Sequence, residues 1–268
     1  MSADDFLSFP PDTLDRDPLR LPFVARGPEW LAVVKPAGVP WAPDPWIPRT
    51  SDLVREVRRQ LRDGKPQLAR LGIGAFHGIV GPDLVASGLV LCAITDAENA
   101  RLSNAVGSSQ VELTYRFVTM GRPTETEIVC ELPLAPHATE SRMLVSHTTG
   151  KKTVTRFNLE QRFRGYAVWT ATTTFDRLHQ IRLHAAESGL PIMGESRYAK
   201  VAPAMLSEIK RDYRPSPRKP EEPIYGELAL HLSRIVFPGA DGKPVTLDAP
   251  LPKAFGVLLK RFAEHLAI

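Results

Sequence analysis

Apolar and polar positions along the chain alternate or run together so as to break it into short strands punctuated by single helices. Phe23 and Val24, a Gly27-Pro28 turn and Trp30 to Val34 predict two short paired strands ending at Lys35-Pro36-Ala37-Gly38. From there to Pro48 the chain reads as loop, with prolines at 40, 43, 45 and 48. Leu53, Val57 and Leu61 fall at helical spacing within Asp52 to Arg62, with Ser51 as a candidate N-cap and Gly64 just past the end. Gly88 to Ile94 is a continuous apolar run, as a strand covered on both faces would be. Thr95 with Glu98 then forms a capping-box signature that opens a helix through Val106.

Val111 to Met120, Glu127 to Leu132, Lys152 to Phe163 and Tyr166 to Thr174 favour strand through their β-branched and aromatic content, and Arg164-Gly165 is a candidate tight turn. Leu178 to Ser188 reads as a helix closed by Gly189. Leu228 to Phe237 and Val245 to Leu247 read as a strand pair around a Gly239 to Gly242 turn, followed by an amphipathic helix from Lys253 to Leu266. Long runs of strand with single helices predict an α+β fold with a largely antiparallel sheet. Residues 1–20, rich in Asp and Pro, are expected to be an extended arm before a catalytic domain spanning 21–268. Within it, 201–224 carries Pro215, Pro217, Pro220 and Pro223 among basic residues, which predicts a mobile surface insertion able to touch RNA.

Composition narrows the class. A length of 268 residues suits one large domain or two small ones. The hydrophobic fraction of 43% and charged fraction of 24% are those of an ordinary folded domain and argue against disorder. No apolar run approaches the span of a bilayer and the N-terminus lacks a secretory pattern, so no membrane association and a cytoplasmic location are expected. Cys92 and Cys130 lie in apolar stretches and read as core residues, and the seven histidines show no metal-binding spacing, so no metal is expected. The net charge of +4 permits RNA binding without demonstrating it.

Three positions could carry chemistry. Gly81-Pro82-Asp83-Leu84-Val85-Ala86-Ser87-Gly88 places an aspartate in a loop just before the buried strand. On this octapeptide alone an ordinary turn residue is the favoured reading; the competing one is a nucleophile or general base presented at the rim of a sheet. Arg182 lies beside the apolar stripe of its helix, where a guanidinium either snorkels to water or pairs with an anion. Tyr115, in Val111-Glu112-Leu113-Thr114-Tyr115, reads as core filler or as a stacking platform for a base.

Taken in order, these segments resemble the RluA-type pseudouridine synthases from about Phe23 to Phe255. Leu31-Ala32-Val33-Val34-Lys35-Pro36-Ala37-Gly38 looks like the family's first motif, and Asp83 falls where its catalytic aspartate lies, four residues before Ser-Gly. Arg177-Leu178-His179-Gln180-Ile181-Arg182-Leu183-His184 is similar to the family's Arg-Thr-His-Gln-Ile-Arg-x-His helix, and Gly189 to Glu195 to its Gly-x-Pro-Ile-x-Gly-Asp. His231 and Pro250-Leu251-Pro252 fit the closing segment. One stretch departs: the family's His-Arg-Leu-Asp-Arg-Asp-Thr-Ser-Gly is here Val80-Gly81-Pro82-Asp83-Leu84-Val85-Ala86-Ser87-Gly88, so Gly81 replaces the arginine that helps fill the gap left by a flipped base. Leu113 replaces the usual lysine near the tyrosine.

The resemblance implies a pseudouridine synthase fold, a largely antiparallel mixed sheet with flanking helices and a central catalytic cleft. It implies isomerisation of a uridine in structured RNA, rRNA or tRNA, without cofactor; a monomer is expected. Asp83 would be the catalytic carboxylate, Arg182 its partner and Tyr115 the stacking residue, with Lys35, Arg177, His179 and Gln180 binding substrate. A homologue that binds RNA after losing turnover is the alternative. A carboxylate-based glycoside hydrolase ranks last, because no second acid is evident.

Overall fold

A computed structural model describes residues 5–47 and 50–268; Pro48 of the predicted loop and the first four residues of the predicted arm lie outside these. The chain opens with β1 (Phe6–Phe9), β2 (Leu19–Arg26), β3 (Trp30–Lys35), α1 (Leu53–Arg62), α2 (Pro66–Arg70), β4 (His77–Val80), β5 (Ser87–Ala93) and α3 (Asp96–Gly107). There follow β6 (Glu112–Met120), β7 (Glu127–Cys130), β8 (Leu134–Pro136), β9 (Met143–Val145), β10 (Thr155–Phe163) and β11 (Tyr166–Thr173). The last elements are α4 (Gln180–Glu187), α5 (Leu206–Ile209), β12 (Leu230–Pro238), β13 (Pro244–Asp248) and α6 (Lys253–His265). They form two compact units, one comprising the chain up to Glu112 with Leu232–Ala249, the other Leu113–His231 with Pro250–Ile268. The class is the expected α+β.

In the first unit β1, β2, β3 and β5 pair in succession, all antiparallel, with β4 also on β5 and β13 on β12. All seven residues of β5 are buried, which is why its sequence shows no alternation. Val90 and Cys92 join Leu31, Val33, Leu53, Val57 and Phe76 in one core. The cap of α1 is Asp52, whose side chain accepts from the Arg55 N–H at 2.9 Å, and not Ser51, whose hydroxyl instead bonds Glu56 at 2.8 Å. Thr95 caps α3 by accepting from the Glu98 N–H, as predicted.

The expected arm is not all detached from the fold. Phe6-Leu7-Ser8-Phe9 alternates with period two, pairs with β2 and buries Leu7 and Phe9 in the first core. The surrounding Asp and Pro residues hide this short alternation from a reading based on composition.

In the second unit the order is β6-β11-β10-β7, again antiparallel. Gly165, at φ +84°, makes the predicted turn between β10 and β11. Phe163, Tyr166, Val168 and α6 residues Phe255, Leu258 and Phe262 share a core, with the Tyr166 and Phe262 rings stacked 4.4 Å apart. The base of the 201–224 insertion belongs to this core through Ala204 and Ile209, and Ser207 is bonded to Glu221, so only its tip carries the exposed proline-rich and basic stretch. Among the described residues, no helix is long and apolar enough to cross a membrane.

Candidate active site

In the first unit the expected site residue Asp83 lies in the turn 83–86. The Ala86 N–H donates to the Asp83 carbonyl at 3.1 Å, closing the turn, and the half-buried Asp83 stands at its start. Gly88 follows at φ +137°, where a Cβ would come within 2.5 Å of the Leu232 nitrogen, so the Ser-Gly that opens β5 tolerates no side chain at its second position.

Lys35 holds this turn from below. Its ammonium is fully buried at the end of β3 and donates to the carbonyls of Pro36 (3.2 Å), Leu84 (3.2 Å) and Ala86 (2.5 Å). The Gly38 N–H donates to the same Leu84 carbonyl at 2.8 Å. Burying an ammonium is tolerable only with such partners. A phosphate contact is therefore not what Lys35 provides: the Lys-Pro-Ala-Gly motif works inward, fixing the backbone that carries Asp83. Lys35→Met should cost about 2–4 kcal/mol of stability by orphaning buried carbonyls, which denaturant unfolding checks.

In the second unit Tyr115 is buried in β6, and its hydroxyl donates to Asp176 at 2.5 Å. Asp176, which sequence reasoning passed over, lies in the turn between β11 and α4, directly before Arg177. The Arg177 guanidinium sits 4.7 Å over the Phe175 ring, and its buried Nε has no hydrogen-bond partner among the described residues. His179 adopts φ +57°, a left-handed conformation that delays the start of α4 to Gln180, two residues after the predicted Leu178. Its Nδ1 shares a 2.7 Å hydrogen bond with the Tyr198 hydroxyl.

Gln180 is a buried hub and not a substrate ligand. Its Oε1 accepts from Thr153 (2.6 Å) and the Arg177 N–H (2.9 Å), while Nε2 donates to Val154, Thr155 and Thr173. All of its hydrogen-bonding capacity is used in tying the 153–155 strand entry to the 173–177 turn.

Arg182 forms a buried fork with Glu195, Nε to Oε2 at 2.7 Å and Nη2 to Oε1 at 2.9 Å, and its guanidinium lies 5.3 Å over the Tyr198 ring. Burial pushes the Glu195 carboxyl up, but the Arg182 fork and the Arg197 and Tyr198 N–H groups outweigh it and hold it below the usual carboxylate range. Gly194, at φ +84°, lies so close to the Glu227 carbonyl that a Cβ would approach within 2.6 Å, which explains why Gly precedes this acid. The signal for Glu195 was present in the Gly-Glu pair but its partner was not.

His184, one turn beyond Gln180, is fully buried between the Thr155 hydroxyl (2.9 Å) and the Leu132 carbonyl (3.0 Å), and burial lowers its pKa. Because the folded state binds this proton less readily than the unfolded chain, the stability His184 contributes is full above about pH 6.5 and is lost as pH falls through its lowered folded value. Guanidinium melts at pH 7.5 and 5 should show a smaller acid loss for His184→Gln than for the parent.

The site residues thus form two clusters, Lys35 with the Asp83 turn in one unit, and Tyr115, Arg177, His179, Gln180 and Arg182 with Asp176 and Glu195 in the other. Among the described residues no three His, Cys, Asp or Glu side chains group as metal ligands. The chain matches the family model for RNA pseudouridylate synthase over residues 29–187, a span that includes both clusters up to α4. An uncharacterized RNA pseudouridine synthase of Zymomonas mobilis is 28% identical over 233 residues, covering 85% of this chain and 92% of that protein. A ribosomal large subunit pseudouridine synthase D of Pasteurella multocida is 27% identical over 66% of this chain, which spans 53% of that relative. Among solved structures, human RNA pseudouridylate synthase domain containing 4 superposes with a TM-score of 0.65 at 18% identity, covering 92% of this chain and 94% of that one, a likeness of fold. The chain belongs to the RNA pseudouridylate synthase family, as an RluA-type member of this class of isomerases.

Proposed function

We propose that the protein converts a uridine in rRNA or tRNA to pseudouridine, with Asp83 as the catalytic carboxylate, acting as a cytoplasmic monomer without cofactor. The observation that supports this most is the Lys35 clamp: a buried ammonium devoted to the carbonyls of the 83–86 turn gives that turn a fixed geometry, which a surface loop would not need.

A uridine within folded RNA must first leave its stack, at a cost of a few kcal/mol. Asp83 then acts on the flipped nucleotide, the bond from N1 to the sugar C1′ breaks, and the uracil turns. A bond from C5 to C1′ forms, the proton on C5 leaves, and N1 gains a proton, so product and substrate are isomers. Arg182 supports the catalytic carboxylate, as membership of the family implies, and Tyr115, steadied by Asp176, lies against the uracil. Arg177 and His179 contact the flanking nucleotides.

Loss of the C5 hydrogen gives the test. Unmodified rRNA and tRNA transcripts labelled with tritium at uridine C5 should release tritium to a plateau near one equivalent for one of the two classes. Binding of both transcripts without release from either would refute the proposal.

A further inference from the structure

Gly81 stands two residues before Asp83, and the space its side chain would fill is taken. A Cβ there would lie 2.8 Å from Cε2 and 2.9 Å from Cδ2 of Trp41, and one on Gly78 would lie 2.7 Å from Cζ3 of the same indole. The ring therefore runs across the backbone that leads into the Asp83 turn. Its loop is fixed on both sides: the Trp41 carbonyl accepts from the Val54 N–H at 3.3 Å, the Pro40 carbonyl from the Leu53 N–H at 3.0 Å, and Gly38 bonds Leu84 within the turn itself. Trp41 is half-buried at the margin of the first core, and Val85, on the far side of Asp83, is 39% exposed. An indole therefore packs on the backbone two residues before Asp83, and an exposed valine stands two residues after it.

We propose that Trp41 is the residue on which RNA bases stack when the target uridine leaves its helix, a specificity and positioning role that rests on the function proposed above. A flipped nucleotide leaves its neighbours without a stacking partner, and a half-exposed aromatic ring packed on the backbone two residues before the carboxylate that acts on the flipped one could replace it. Indole offers the largest such face, and stacking is indifferent to base identity. The glycines at 78 and 81 leave room for it, and the bonds from 38, 40 and 41 hold it at a set distance along the chain from Asp83.

A space-filling role and a stacking role make different demands on residue 41. Trp41→Met keeps apolar volume without a ring; Trp41→Phe keeps a ring. On folded, tritium-labelled rRNA and tRNA transcripts at a temperature where both variants are fully folded, Trp41→Met should slow single-turnover release on the order of tenfold or more, and Trp41→Phe should recover most of the rate. In an Asp83→Asn background, where no turnover intervenes, the same RNA should quench tryptophan fluorescence, and Trp41→Phe should remove most of that quenching. A Trp41→Met rate within threefold of the parent, or quenching unaffected by Trp41→Phe, overturns the inference. If the parent protein releases no tritium, the functional proposal fails, and the fluorescence comparison still decides whether Trp41 meets the bases.

Discussion

Asp83→Asn should lower single-turnover pseudouridine formation by on the order of 10⁴-fold or more, while changing the affinity for the same RNA less than about threefold. The substitution keeps the size of the side chain and its ability to hydrogen-bond, and the turn is held by backbone groups: Lys35 grips the carbonyls of 84 and 86, and Ala86 bonds the carbonyl of 83. These backbone bonds remain when the carboxylate becomes an amide, and the loss should fall on the chemical step. Filter binding alongside tritium release separates the two quantities. A comparable fall in affinity and rate would instead make Asp83 a binding residue.

The second large effect concerns Arg182. Because it is buried in a two-point ion pair, removing either partner breaks that fork: Arg182→Met and Glu195→Leu should each cost about 3–5 kcal/mol. Replacing both with apolar residues of similar volume is commonly near neutral, so Arg182→Met with Glu195→Leu together should recover stability to within about 1 kcal/mol of the parent. Activity should not follow. If Arg182 supports the catalytic carboxylate, the stable double variant stays down by about 10²-fold or more, whereas a purely architectural pair would regain turnover with stability. The double variant should also be less acid-sensitive. Glu195 is held below its ordinary value of about 4.3, so its contribution is present above that pH and is lost as pH falls through its folded value.

How far the sequence leads depends on whether a feature is local. The Thr95 N-cap, the unbroken apolar run of β5 and the Arg164-Gly165 turn each report their structure within a few residues, and all three are found, although the Glu98 side chain turns to Arg101 instead of completing the capping box. The order of the motifs was enough to place the family. What escaped was set by partners distant in the chain. Lys35 looks like a surface cation until carbonyls 49 and 51 residues away enclose it. Gln180 sits in a motif that suggests ligand contact, yet its amide is consumed by Thr153, Thr155 and Thr173. Asp176 and Glu195 lie beside recognised motifs, but nothing local says that one takes the Tyr115 hydroxyl and the other the Arg182 fork. The four residues of β1 are too few to outweigh the Asp and Pro around them.

The central claim is that this chain makes pseudouridine through Asp83, and mapping in cells tests it most directly. Carbodiimide labelling of rRNA and tRNA should be compared between cells with the gene, cells without it, and deleted cells supplied with either the parent or the Asp83→Asn protein. The account predicts that at least one defined uridine loses its label on deletion, regains it with the parent and does not with Asp83→Asn. An unchanged map on deletion, or full restoration by Asp83→Asn, would contradict it.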